Sequence, residues 1–414
     1  MPHDHAGLSG GCRAPVTRRG FLAATAAGLL GLASAGCAST ASSVPAASPG
    51  RETVYDAVQP AVTSTSTSID LMMVGDVLVH QGVWQSGLQG DGSYNFDHLF
   101  AHMADDAAAA DIALVNQETI LGGTQMGLST YPSFNSPQEI GDAEAAIGIT
   151  HVTCASNHCL DMGYAGIQSE LDFWHASHPE VTPLGIAESQ EAHDAITVFE
   201  KDGFKVALLN YTYGTNVGSL PSEAPWCCDI LDEPTVTQGV ADAREQADLV
   251  VLMPHWGTEY DLGSDDYQRG WAQTLCDAGV DVVIGTHPHV IEPVEVMAGA
   301  DGHKMLVFWS LGNFVSCQAE AARMVGGMAK VSMVKDSSGA RVSSYEFDPL
   351  VDQKVSGTAA MTTYHLAEYT DELASQNGIL SQDPTFSLQY CKDLCAQVLG
   401  SGFDAEACVL KGTV

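Results

Sequence analysis

Basic charge is what this 414-residue chain has least of: lysine and arginine number 16 against 51 acidic residues, for a formal net charge of −35. So acidic a surface repels phosphate backbones and anionic lipid, which excludes nucleic-acid binding and a basic membrane patch. An anionic substrate must then be held by metal ions rather than by an arginine cluster. No C-x-x-C pair of the zinc type occurs, and the eleven cysteines do not read as a dense disulfide framework. Cys391 and Cys395, one helical turn apart, are poorly placed to bond each other; reaching Cys408 or Cys317, or staying as buried thiols, are the open alternatives. No internal repeat is visible. What the chain does have is 45% hydrophobic content, ample for one large or two ordinary domains.

The N-terminus reads as targeting rather than fold. Thr17-Arg18-Arg19-Gly20-Phe21-Leu22 resembles a twin-arginine export signal, and the apolar run 22–35 is too short for a stable membrane span. It ends in Leu32-Ala33-Ser34-Ala35-Gly36-Cys37, which resembles a bacterial lipoprotein cleavage box with Cys37 as the acylated residue. Cleavage after Ala35 and release as a soluble protein is the rival. The expectation is an exported protein anchored by lipid to the outer face of the cytoplasmic membrane. Residues 1–36 are then the signal peptide and 37–67 a disordered Ser/Thr/Ala/Pro tether.

The organising stretch is 280–290, where four apolar residues (Val280, Val282, Val283, Ile284) run into Gly285 and two histidines, His287 and His289. This is the pattern of a buried parallel strand ending in a turn that presents two imidazoles. The arrangement recurs. Strand 68–74 runs into Gly75 and Asp76, with His80 four residues on. Strand 111–115 runs into Asn116-Gln117-Glu118, and 151–155 into Ser156-Asn157-His158. Strand 248–253 runs into Pro254-His255-Trp256-Gly257, with Glu259 beyond. Two further apolar runs, 205–209 and 304–309, end the same way. Between them lie amphipathic helical stretches near 96–110, 137–147, 164–176, 236–247 and 266–278. Alternating strands and helices imply an α/β fold, in which ligands collect at the carboxyl ends of strands. Those ends carry nearly every His, Asn and acidic residue of chemical interest.

Aspartate, glutamate, asparagine and histidine are the oxygen and nitrogen ligands of manganese, iron(II) or zinc. Seven of them (Asp76, His80, Glu118, Asn157, His255, His287 and His289) are too many for one ion and suit two sharing a bridging carboxylate. Two such ions, roughly 3.5–4 Å apart, polarise an ester oxygen and generate hydroxide near neutral pH. His158, next to a ligand without needing to be one, is free to protonate a leaving group.

In order along the chain stand Gly75-Asp76, Asn116-x-Glu118, Ser156-Asn157-His158-x-x-Asp161-x-Gly163, Asn210-Tyr211-Thr212-Tyr213-Gly214-Thr215-Asn216, His255-Trp256-Gly257-x-Glu259-Tyr260, Gly285-x-His287-Pro288-His289 and Ser310-Leu311-Gly312-Asn313-Phe314. Together they resemble the CapA family (poly-gamma-glutamate capsule biosynthesis proteins) of the calcineurin-like metallophosphoesterase superfamily, over about residues 68–320. The resemblance implies a four-layer αββα sandwich with two divalent metal ions. Asp76, His80, Glu118 and His289 would hold one ion. Glu118, bridging, would join Asn157, His255 and His287 at the other, with His158 as general acid. Leu78 stands where the superfamily usually has a histidine, and Glu118 where it has an aspartate. Asp161, Glu259 and Asn313 are placed to touch ligands or substrate, and Tyr211, Thr212, Tyr213 and Asn216 to line the pocket.

The sandwich domain is expected over 68–355. Residues 356–414 form a C-terminal helical appendage without catalytic residues, helical at 364–376 and 387–399, with His365 on its surface. The leading functional expectation is a hydrolase that cleaves a phosphoester or amide, its partner an envelope or capsular polymer or a small phosphoester. The alternatives are a non-catalytic member of a capsule-synthesis complex and a metal enzyme that uses bridging hydroxide as a base.

Overall fold

The structure, a computed structural model, describes residues 66–300 and 302–414. The export signal, Cys37 and nearly all of the tether lie outside the described residues. The strands follow in chain order: β1 (Thr67–Val77), β2 (Ile112–Asn116), β3 (His151–Thr153), β4 (Thr182–Leu184) and β5 (Thr197–Lys201). Next come β6 (Phe204–Thr212), β7 (Leu249–His255), β8 (Val282–Ile284), β9 (Val294–Ala298), β10 (Lys304–Phe308) and β11 (Asn313–Val315). Last are β12 (Val325–Asp336), β13 (Gly339–Gln353), β14 (Thr362–His365), β15 (Phe403–Asp404) and β16 (Val409–Thr413).

They form two sheets. One runs β15-β16-β13-β12-β1-β2-β3-β4, with β11 also paired to β1 and β14 to β13; the other runs β5-β6-β7-β8-β10-β9. Strands β1 to β4 are mutually parallel, as are β6, β7, β8 and β10, so in each sheet their carboxyl ends share an edge.

Side-chain alternation builds the layers. Leu71 and Met73 of β1 pack with Leu208 of β6, Val251 of β7 and Ile284 of β8 in the core between the sheets. Their neighbours Met72 and Val74 face outward onto the helical segments around Phe100, Ile140 and Ile167. On the second sheet, Val250 and Leu252 face Val236, Val240, Ala272 and Leu275 of helices Glu233–Gln246 and Asp266–Ala278. Helix, sheet, sheet, helix is the expected four-layer order. Strands covered on both faces can tolerate polar residues only at their ends, which is why those residues cluster there.

The C-terminal segment differs from a purely helical appendage. Its strands β14 and β16 both pair with β13, and helix Leu388–Leu399 buries Cys391, Leu394, Cys395 and Val398 against the inter-sheet core. The expected helix at 364–376 shrinks to Asp371–Gln376, because the long strand β13 offers Tyr364 and His365 a pairing edge. His365 is not a surface residue. Its ring nitrogens lie 3.0 Å from Asp348 and 3.2 Å from Asp106.

A candidate metal centre

Strand register assembles the first half of the site. Asp76 pairs with Asn116 of β2 and Asn313 of β11, and Asn116 pairs with Thr153 of β3. A hydrogen-bond chain follows: Thr153 Oγ1 donates to Asn116 Oδ1 at 2.8 Å, and Asn116 Nδ2 donates to Asp76 Oδ1 at 2.8 Å. The glycine before Asp76 is required by close approach, since a Cβ on Gly75 would meet the Gly312 carbonyl oxygen at 1.9 Å. Gly285 is held in the same way against the carbonyl of Trp309.

The second sheet supplies the imidazoles. His289 presents Nδ1 at 3.0 Å from Asp76 Oδ2 and 3.1 Å from Asn313 Oδ1, with Nε2 3.7 Å from Glu118 Oε1. His255 has Nδ1 at 3.0 Å from Thr286 Oγ1, and Nε2 at 2.9 Å from Asn157 Oδ1 and 3.9 Å from Glu118 Oε1. The rings of His255 and His287 are 4.8 Å apart, and those of His287 and His289 5.9 Å. His287 and His289 have φ of 100° and 61°, left-handed values that non-glycine residues seldom adopt and that concentrate at functional sites. One ligand atom each from Glu118, His287 and His289 falls within 4.8 Å of the others.

The electrostatics leave Glu118 only partly compensated, by the His289 ring 3.7 Å away. The Glu118 side chain is fully buried, and among the described residues neither carboxylate oxygen has a hydrogen-bond partner. Desolvation drives its pKa well above the ordinary value, against the pull of His289, with Asp76 and Glu259 adding to the rise. Burial, then the neighbouring imidazoles, push His255 and His287 well below the usual histidine range, which keeps them neutral and able to coordinate. His289 is the exception. Burial lowers it, but Glu118 and Asp76 outweigh burial and raise it to about 9. A buried carboxyl group without a hydrogen-bond donor, beside two neutral imidazoles of which one (His287) has a bare Nδ1, is a donor set suited to divalent cations.

Beside this cluster His158 Nδ1 lies 2.7 Å from Asp161 Oδ2, which also accepts the backbone N–H of Phe134 at 2.7 Å. The Phe134 ring stands edge-on to His158, and the Asn216 amide reaches both His158 nitrogens, at 3.3 and 3.5 Å.

Other expected residues sit differently. His80 has Nδ1 tied to the Cys317 N–H and the Leu78 carbonyl, and its ring rests edge-on to Phe134. It makes no hydrogen bond or ion pair to Asp76 or Glu118 among the described residues. Tyr211 does not line the pocket: it packs with Leu209, Val236 and Val240 behind the second sheet, its hydroxyl against Gly239. Buried Thr212 turns its hydroxyl onto the Gly214 carbonyl. Tyr213 lays its ring 4.8 Å from His287, and Glu259 is exposed at the mouth. Asn313 holds His289 from both Oδ1 and Nδ2.

Sequence reasoning missed Thr286, whose hydroxyl lies 3.0 Å from His255 Nδ1 and whose backbone bridges that of His255. It also missed Arg323, whose guanidinium lies 3.4 Å from the centroid of Tyr260, itself stacked 6.1 Å from His289. Thr286 was legible only as the residue between glycine and histidine, and Arg323 carried no local signal.

The chain is similar to known proteins over much of its described length. It is 30% identical over 198 residues to the PGA biosynthesis protein CapA of Bacillus subtilis, covering 47% of this chain and 49% of the relative. It is 25% identical to the capsule biosynthesis protein CapA of Bacillus anthracis, covering 63% of this chain and 62% of that one. The chain thus spans about half to three-fifths of these curated relatives. Among solved structures, a 5'-nucleotidase precursor from Thermus thermophilus superposes with a TM-score of 0.43 at 14% identity, over 69% of this chain and 54% of that one. The NAD nucleotidase of Haemophilus influenzae gives 0.44 at 10%, over 77% and 64%. The family model described as bacterial capsule synthesis protein PGA_cap matches residues 70–318, well over half of the chain, and the chain belongs to that family.

Proposed function

We propose that this chain is a metal-dependent hydrolase of the cell envelope, cleaving a phosphoester or amide bond of an envelope or capsular polymer. One observation carries the reading: the buried carboxyl group of Glu118, without a hydrogen-bond donor among the described residues, set among His255, His287 and His289. The residues fit two divalent ions, with Asp76, Glu118 and His289 holding one and Glu118, Asn157, His255 and His287 the other. Bound there, manganese, iron or zinc would polarise the scissile group and lower the pKa of a bound water toward neutrality.

The chain's own residues do the rest. Asp161 accepts from His158 Nδ1 and stabilises the protonated ring, so that Nε2–H is the proton given to the leaving group. Asn216 fixes the plane of that ring. Thr286 and Asn313 hold His255 and His289 with their coordinating nitrogens turned inward. Arg323, which lies over Tyr260 at the rim and pairs with Glu320 at 2.8 Å, is a cation for which an anionic substrate would compete with Glu320. The relatives named for PGA and capsule biosynthesis support a polyglutamate-type polymer as substrate, and the bound ions would offset its negative charge. Export, with Cys37 as the lipid anchor, places the site at the outer face of the membrane. If Cys37→Ala leaves membrane fractionation unchanged, the anchor is wrong.

The test is to purify residues 38–414, measure metal content, and assay an aryl phosphate and poly-gamma-glutamate with added manganese. Two ions per chain and turnover that is lost in His255→Ala support the proposal. Metal without hydrolysis of either substrate, or no metal at all, overturns it.

A further inference from the structure

Cys159 directly follows Asn157 and His158, while Cys228 ends the segment that leaves β6 after Thr212 and crosses the site. The two residues are 69 positions apart and buried, and their Sγ atoms lie 3.3 Å from one another. The stretch from Tyr213 to Asn216 touches the site: Tyr213 rests on His287, the Asn216 N–H donates to the Asn157 carbonyl at 2.9 Å, and the Asn216 amide reaches His158. Beyond Asn216 it runs outward through exposed Val217 and returns to the body of the protein at Cys227 and Cys228. There the Ala187 N–H donates to the Cys227 carbonyl at 3.2 Å and the Asp229 N–H to the Gly185 carbonyl at 2.9 Å.

We propose that Cys159 and Cys228 are a disulfide site, and that their bond fastens the returning arm of this flap to the turn bearing Asn157 and His158. Two thiols in contact across such a sequence separation need only a small approach to reach bonding distance. The oxidant is a disulfide, either a small-molecule one or that of an oxidoreductase in an exported setting. One cysteine sulfur, as thiolate, attacks it to form a mixed disulfide and release one thiol. The other cysteine sulfur then displaces the second thiol. Two protein thiols are oxidised, one external disulfide is reduced, and the two protons end on the released thiols. The bond closes a long loop and so restricts the unfolded chain strongly. It also holds Asn216 over His158, and it stands apart from the proposed hydrolysis, since it can be read without any substrate.

The test uses the full chain incubated with oxidised glutathione. Free thiols are blocked with N-ethylmaleimide, and the protein is digested with pepsin at low pH and analysed by mass spectrometry. The expected product is a cross-linked pair of peptides holding Cys159 and Cys228, two hydrogens lighter than their sum. N-ethylmaleimide on both residues, or Cys159 joined to Cys227, overturns the proposal. In parallel, reduction is expected to lower the melting temperature of the wild type by about 5 °C, a drop absent from the Cys159→Ser/Cys228→Ser double variant. Equal melting of oxidised and reduced wild type also counts against it.

Discussion

Asp76 and His289 stand 213 positions apart in the chain, yet an Asp76 carboxylate oxygen lies 3.0 Å from His289 Nδ1. The contact ties the carboxyl end of β1 to the turn after β8, and both residues are proposed to hold the same ion. Asp76→Ala should therefore weaken the site at more than one group, since His289 loses one of the two acceptors, with Asn313, that orient it. Affinity for manganese is expected to fall more than about 100-fold, measured by titration calorimetry on metal-free protein. Unchanged affinity would remove Asp76 from the centre.

Glu118 offers a test in which stability and metal binding move in opposite directions. Among the described residues its buried carboxyl has no hydrogen-bond partner, and burial opposes its ionisation, so without metal it costs free energy. Glu118→Gln is expected to stabilise the metal-free protein by about 1–3 kcal/mol and to abolish the rise in melting temperature that manganese gives the wild type. Chemical denaturation with and without manganese reads both. A variant less stable than the metal-free wild type would mean that Glu118 is satisfied as it stands.

The pair His158–Asp161 separates proton transfer from binding. His158→Ala is expected to lower kcat about 100- to 10,000-fold on a substrate with a poor leaving group, and far less on an aryl phosphate whose leaving group needs no proton. Asp161→Asn keeps the ring but removes the charge that faces its Nδ1, so kcat on the poor leaving group should fall while KM changes little. Equal losses on both substrates would make His158 a structural residue.

How much of this was legible follows from which interactions are local. A strand buried on both faces confines polar residues to its ends, so the run from Val280 to His289 announced itself without any partner in view. The neighbourhood of Asp76, Glu118, His255 and His289 was approachable because each sits at such an end. What local pattern could not give was direction. Tyr211 lies one residue before the strand ends, and its position in the pleat sends it behind the sheet, while Tyr213, just past the end, turns onto His287. His80 depends on the Cys317 backbone, 237 positions away. The helical reading of 364–370 failed for the same reason, because the pairing edge of β13 is a non-local fact.

That edge creates the last testable feature. His365 of β14 reaches Asp348 on β13 and Asp106 on the helix Ala104–Ala109, with Lys330 Nζ 2.8 Å from Asp106 and 3.2 Å from Asp348. Three carboxylates (Asp106, Glu346, Asp348) surround these two cations, and Lys330 already supplies the charge that a metal ion would bring. Burial pulls the His365 pKa down, but the hydrogen bonds and charges of Asp106 and Asp348 outweigh it and raise it to about 10, above the 6.5 of an unfolded chain. A raised histidine pKa means that the folded state holds the proton more tightly. Its contribution is therefore complete below about pH 6.5 and is lost as pH climbs through 10. His365→Gln should cost on the order of 1 kcal/mol at pH 6, after allowance for partial solvent screening, and the difference from wild type should shrink steadily toward pH 10. Urea denaturation at pH 6, 8 and 10 measures it. A difference constant across that range would mean that His365 binds its aspartates as a neutral ring.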